Sequence, residues 1–124
     1  MTLREIAIAN AKLKTEPVTL GDGTVVEVRS LPLLQRGELL NEAVTVDEDE
    51  TVKTDNVKLE AMLIIASVCD PETHQPLFTA ADYDMILTFD AAYLTPATKV
   101  AQRLSGLGKA AAAIAEKNSG ATTA

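Results

Sequence analysis

The stretch Asp55-Asn-Val-Lys-Leu-Glu-Ala-Met-Leu-Ile-Ile-Ala-Ser-Val68 decides the fold. Asp55, or Thr54 before it, suits a helix N-cap, because a short oxygen-bearing side chain can accept a free amide of the first turn. From Val57 to Val68 the apolar residues Val57, Leu59, Ala61, Met62, Leu63, Ile64, Ile65, Ala66 and Val68 fall on nearly every side of a helix. A helix with that distribution has no face to offer water and belongs at the centre of a domain. It is the expected core, and Asp70-Pro71 ends it.

On the N-terminal side, Ser30 and Pro32 suit the N-cap and first turn of a preceding helix. Leu33, Leu34, Leu39, Leu40 and Ala43 supply its apolar side, and Gly37 weakens its middle by roughly 1 kcal/mol relative to Ala. Val46 to Thr54, with Asp47-Glu48-Asp49-Glu50 inside it, reads as a polar loop. Further upstream, Val18 and Leu20, the turn Gly21-Asp22-Gly23 and the run Val25-Val26-Glu27-Val28-Arg29 predict a β-hairpin near 17–29. Thr2-Leu-Arg-Glu5 has the capping-box spacing, and Leu3, Ile6, Asn10 and Leu13 follow on one helical face.

On the C-terminal side, Pro71 to Pro76 is a turn-rich connection, with Leu77 and Phe78 as its expected anchors to the core. Thr79-Ala-Ala-Asp82 predicts a second capping box and a short helix through Tyr83, Ile86 and Leu87. Thr95-Pro96 predicts the start of the last helix, with Ala97, Val100, Ala101 and Leu104 on one face and Gly106 and Gly108 as its stop. The expected fold class is therefore mainly α: a small domain of about four to five helices with one N-terminal β-hairpin. The domain is expected to span residues 1–108, and residues 109–124 to form an Ala-rich, flexible tail.

Composition narrows the function classes. Hydrophobic residues make up 47% of 124, enough for one self-supporting core, while aromatics are only 3%. The net charge of −7 and the absence of any Lys/Arg cluster speak against nucleic acid and anionic membrane surfaces as partners. No apolar signal core opens the chain, and Ala61 to Val68 is too short to span a bilayer. Cys69 is the only cysteine, which suits a cytosolic life.

No catalytic or cofactor constellation stands out, and the expectation is a non-enzyme without cofactor. Cys69, Asp70 and His74 lie close enough in sequence to suggest a nucleophile and base, but nothing nearby supplies the electropositive setting a reactive thiol needs. Asp47, Asp49 and Thr51 alternate as in calcium loops, without the turn Gly or the closing Glu. One His and one Cys cannot build a closed zinc site. The pairs Gly21/Gly23 and Gly106/Gly108 read as a turn and a helix stop, not phosphate loops.

The order of segments carries more than any single motif. Val28-Arg29-Ser30-Leu31, the buried helix ending Val68-Cys69-Asp70, Pro76-Leu77-Phe78-Thr79 with Asp82, Ala101-Gln-Arg-Leu-Ser-Gly-Leu107 and Glu116-Lys117-Asn118-Ser119 form a series. That series, from about Val25 to Ser119, resembles the tail assembly chaperones of long-tailed phages and prophages. Thr73-His74 stands where a Gly-type turn is usual in that family, and Leu33-Leu34-Gln35 replaces a more polar helix start. The resemblance implies a chaperone of the host bacterial cytoplasm, absent from the mature virion. It implies binding to the tape measure protein and recruitment of tail tube (major tail) protein, and it carries homo-oligomers as an expectation by analogy. On this reading Leu3, Ile6, Leu104, Leu107 and Ile114 are the candidate partner-binding residues. Programmed frameshifting, also implied, has its candidate junction at Lys117 and Asn118, with Gly108-Lys109 as a second. The competing reading is a small bacterial adaptor or regulatory domain that binds another protein.

Overall fold

The computed structural model describes residues 1–107. In chain order the elements are α1 (Leu3–Asn10), β1 (Thr15–Thr19), β2 (Val25–Arg29), α2 (Leu33–Ala43), β3 (Val44–Val46) and β4 (Val52–Thr54). They continue with α3 (Asn56–Ser67), β5 (Val68–Cys69), a 3-10 turn (Ala80–Asp82), α4 (Tyr83–Ile86) and α5 (Ala91–Leu104).

The central helix forms where its sequence places it. The Asp55 side chain accepts the Lys58 N–H at 3.0 Å, and Ala61, Leu63, Ile64 and Ser67 are buried. Helix α3 packs on α2 and α5, and α5 packs across β1 and β2. Val18, Leu20, Val26 and Val28 of the hairpin close the core against Leu94, Ala97 and Ala101 of α5. Both predicted capping boxes, at Thr2/Glu5 and Thr79/Asp82, are present.

The fold class differs from the mainly helical expectation. Among the described residues five strands form two antiparallel sheets, β1-β2-β5 and β3-β4, so the architecture is α+β. The additional strands are two or three residues long, too short to show a period of two. Val68-Cys69 continues the apolar run of α3, and only pairing with Val28 and Glu27 makes it a strand. Val44–Val46 and Val52–Thr54 are drawn into a hairpin by the tight turn between them, where the acidic run had read as plain loop.

Sheet edges are managed on both sides. Ser30 donates its N–H to the Lys14 carbonyl and Leu20 its N–H to the Thr24 carbonyl, so the even-numbered residues of β1 bond to β2. Pro17 then falls on the outward side, where its missing N–H blunts the edge. The far edge, β5, is covered by its own return loop: Asp70 N–H donates to the Gln75 carbonyl and Leu77 N–H to the Val68 carbonyl.

Two helix starts lie elsewhere than the local signals indicate. Ser30 does not cap α2; its hydroxyl accepts the Lys14 N–H at 2.8 Å, and α2 begins after Pro32. Helix α5 begins at Ala91, with the Asp90 carboxylate accepting the Ala92 N–H, so Pro96 lies inside the helix. The threonine of the Thr95-Pro96 pair donates its hydroxyl back to the Ala91 carbonyl instead. The end of α5 is as expected at Gly106, while Gly108 lies outside the described residues: Leu107 N–H bonds the Gln102 carbonyl and Gly106 N–H the Arg103 carbonyl, with Gly106 at φ 70°.

Candidate functional site

Helix α1 is the first unusual feature. It carries a complete capping box, yet none of its residues is buried. Leu3 is 82% and Ile6 41% exposed, and Ile8 and Leu13 are exposed as well. The chain after it is pinned to the body, because Lys14 both donates to the Ser30 hydroxyl and accepts the Ser30 N–H.

The second feature is an open groove of about 850 Å³ between α2, α3 and the segment Pro76–Tyr83. Its apolar lining includes Leu39, Met62, Ile65, Ala66, Phe78 and Tyr83. It exists because α3 is apolar on more sides than α2 and α5 cover, which leaves Met62, Ile65 and Ala66 only half-buried. Phe78 holds the opposite wall through a tilted contact with Phe89, ring centroids 5.9 Å apart. Polar groups rim the groove: Arg29, whose Nε donates to the Ala66 carbonyl, Glu38, and Glu42 paired with Lys58 at 3.5 Å. A groove of this size and lining suits apolar side chains presented by a helix.

The sequence-predicted binding residues fall in different settings. Leu3 and Ile6 are exposed on α1. Leu104 and Leu107 are half-buried against the core, with Leu104 beside Leu13 and Leu31 in a small cleft. Ile114, Lys117, Asn118 and the Lys109 site lie outside the described residues, as does the tail 109–124. The groove was missed because its residues come from three separate segments; the apolar surplus of α3 was the available signal. Leu77, expected as an anchor, is exposed, and Phe78 alone performs that role.

The grouping that suggested a nucleophile is engaged in structure. Cys69 is fully buried, and burial pushes its thiol up, with the Arg29 charge opposing. The Asp70 carboxylate accepts the N–H groups of Glu72 and Thr73, shaping the return loop. His74 Nδ1 meets the Glu27 carboxylate at 2.9 Å, and His74 takes φ 61°, the left-handed conformation that glycine adopts most easily. The Asp47–Thr51 stretch is a hairpin turn whose Asp47 pairs with Lys53 at 2.9 Å. Among the described residues no group of three or more His, Cys, Asp or Glu is gathered for a metal, and no helix is long and apolar enough to cross a membrane.

No model of a known protein family matches the chain, and none of the curated proteins matches its sequence. Among solved structures, the chain is similar to the bacteriophage HK97 tail assembly chaperone, with a TM-score of 0.56 and 19% identity. The superposition covers 83% of this chain and 98% of that one, so nearly the whole of that protein has its counterpart here and the two share a fold.

Proposed function

We propose that this chain is a phage tail assembly chaperone that acts by binding, not catalysis. Its client is an apolar, helical segment of a tape measure protein, held in the host cytoplasm until tail tube subunits assemble around it. The observation that carries the reading is an open apolar groove on a body that shares its fold with a known tail assembly chaperone. A client helix would seat leucine-like side chains at i, i+3 and i+4 against Met62, Ile65 and Phe78. The acidic surface keeps chaperone and complex in solution. Such a chaperone leaves the tail on completion and is absent from the virion.

Co-expression with fragments of the tape measure protein encoded beside it tests the reading. The expected result is a fragment that turns soluble and copurifies with this chain. A fragment that stays insoluble and does not copurify overturns it, as does a gene that lies away from tail genes. A longer, frameshifted product is part of the same proposal: Glu116-Lys117-Asn118 encoded GAA-AAA-AAC contains the slippery string A-AAA-AAC. The gene sequence decides that point, with Gly108-Lys109 as the second place to read.

A further inference from the structure

We infer that the small cleft between the α1–β1 link, the start of α2 and the end of α5 is a docking site for an acidic, leucine-bearing segment of a partner protein. The cleft has a volume of about 300 Å³, and Lys12, Lys14 and Arg36 line it together with Leu13, Leu31 and Leu104. No Asp or Glu lines it, and among the described residues none of the three cations joins an ion pair. In a chain of net charge −7, three of the 11 Lys and Arg residues therefore meet at one opening without a counter-charge.

The cluster is absent from the sequence and arises in the fold, because Arg36 reaches the cleft from α2. The backbone of Lys14 is held in place by its two bonds to Ser30. Arg36 is half-buried, and its Nη1 donates to the Ser105 carbonyl at 3.3 Å, which steadies the guanidinium and leaves further N–H groups for a ligand. Gly106 permits that approach: a Cβ on it would stand 3.3 Å from Arg36 Nη1. Arg36 thus answers the carbonyl end of α5, as a helix C-terminus favours, and Lys12 and Lys14 add charge beyond that need. Glu16, two residues after Lys14, is taken by Arg103 and leaves the cleft's charge uncompensated.

The cations set the sign of the occupant, and the leucines set its kind. A small inorganic anion gains nothing from Leu13, Leu31 and Leu104, whereas Leu13 is 50% exposed and has cover to gain. Nucleic acid or an anionic bilayer would extend past the cleft onto an otherwise acidic surface. A protein segment that sets carboxylates beside leucine meets both halves of the lining, with a charge-assisted bond to the steadied guanidinium. The cleft shares no lining residue with the α2–α3 groove, so the inference stands apart from the client-helix reading.

Fluorescence anisotropy of the full chain with a labelled peptide that alternates leucine with aspartate and glutamate tests this. The expected result is saturable binding that weakens about fivefold or more as salt rises from about 0.02 to 0.3 M. Lys12→Glu and Lys14→Glu alter exposed side chains, and each weakens binding about fivefold with the fold intact by circular dichroism, while Lys12→Arg retains it. Lys53→Glu makes the same change of net charge on the β3–β4 hairpin and leaves binding within about twofold. Absence of binding overturns the inference, as does equal binding of a twin peptide with asparagine and glutamine in place of the acids. So does binding indifferent to Lys12 and Lys14, or weakened as much by Lys53→Glu. Displacement of the peptide by inorganic phosphate, or capture of the chain by phosphatidylserine vesicles, overturns the choice of a protein segment as occupant.

Discussion

Glu50 occupies in the β3–β4 hairpin the place that Gly23 occupies in the β1–β2 hairpin. Gly23 N–H donates to the Leu20 carbonyl at 3.0 Å, and Glu50 N–H to the Asp47 carbonyl at 2.9 Å. Leu20 and Asp47 donate in turn to the carbonyls of Thr24 and Thr51, and the carboxylates of Asp22 and Asp49 accept the amides of those two threonines. Both positions are left-handed, at φ 89° for Gly23 and 64° for Glu50. The same turn is therefore built twice, once with the residue that adopts it freely and once with a side chain that pays a steric penalty.

Glu50→Gly should raise stability by about 1 kcal/mol, since it relieves the left-handed strain and removes one charge from an acidic turn. Gly23→Ala should lower stability by a similar amount or more, although nothing crowds the added Cβ, because the penalty is conformational. Urea unfolding of both variants checks this. Equal, same-sign shifts would contradict the shared-turn account.

Two buried serines should respond with opposite signs. The Ser105 hydroxyl accepts the buried Leu31 N–H at 3.1 Å, joining the entry of α2 to the end of α5. Ser105→Ala orphans that amide and should cost about 1–3 kcal/mol. Ser67 Oγ is fully buried and, among the described residues, has no hydrogen-bond partner. Ser67→Ala should leave stability unchanged or raise it by about 1 kcal/mol. Thermal denaturation of the pair gives the comparison directly.

Leu63 is fully buried at the centre of α3, whereas Leu33 is exposed at the start of α2. Leu63→Ala should cost about 2–5 kcal/mol by lost transfer energy and the cavity left behind. Leu33→Ala should stay within about 0.5 kcal/mol. A large loss at Leu33 would mean that this residue is covered in the free protein.

Acid should loosen the first hairpin. Bonds from the Thr24 backbone and side chain, and from the Tyr93 hydroxyl at 3.1 Å, hold the Asp22 carboxyl below its ordinary value of 3.8. A depressed carboxyl contributes stability that is full above the unfolded value and lost as pH falls through the folded one. The contribution of this exposed group therefore disappears below about pH 4. Asp22→Asn should flatten that part of the stability profile, and Tyr93→Phe should do so partly. An unchanged acid limb in Asp22→Asn would show that the bonds do not persist in solution.

The local signals that proved legible were those needing no distant partner. A capping box is complete within four residues, so Thr2/Glu5 and Thr79/Asp82 could be read directly. The all-round apolar pattern of α3 required burial wherever the helix lay, and Gly106 ended α5 because its backbone turns left-handed there. Signals with two local solutions were misread. Ser30 and the Thr95-Pro96 pair both look like caps, but Lys14 claims the Ser30 hydroxyl and Asp90 starts α5 one turn earlier.

By itself, then, the sequence determined the central helix, the first hairpin, the helix stop at Gly106 and the acidic net charge of the chain. Tertiary structure alone decided the second sheet and the third strand of the first, because Val68-Cys69 becomes a strand only by pairing with β2. It also decided the groove, whose walls are Leu39, Met62 and Phe78, residues separated in sequence and joined only by packing. Periodicity tells which side chains avoid water, but only the packed body tells which of them find cover: Leu39 and Leu63 do, whereas Leu3 of α1 and Leu33 and Leu34 of α2 stay exposed.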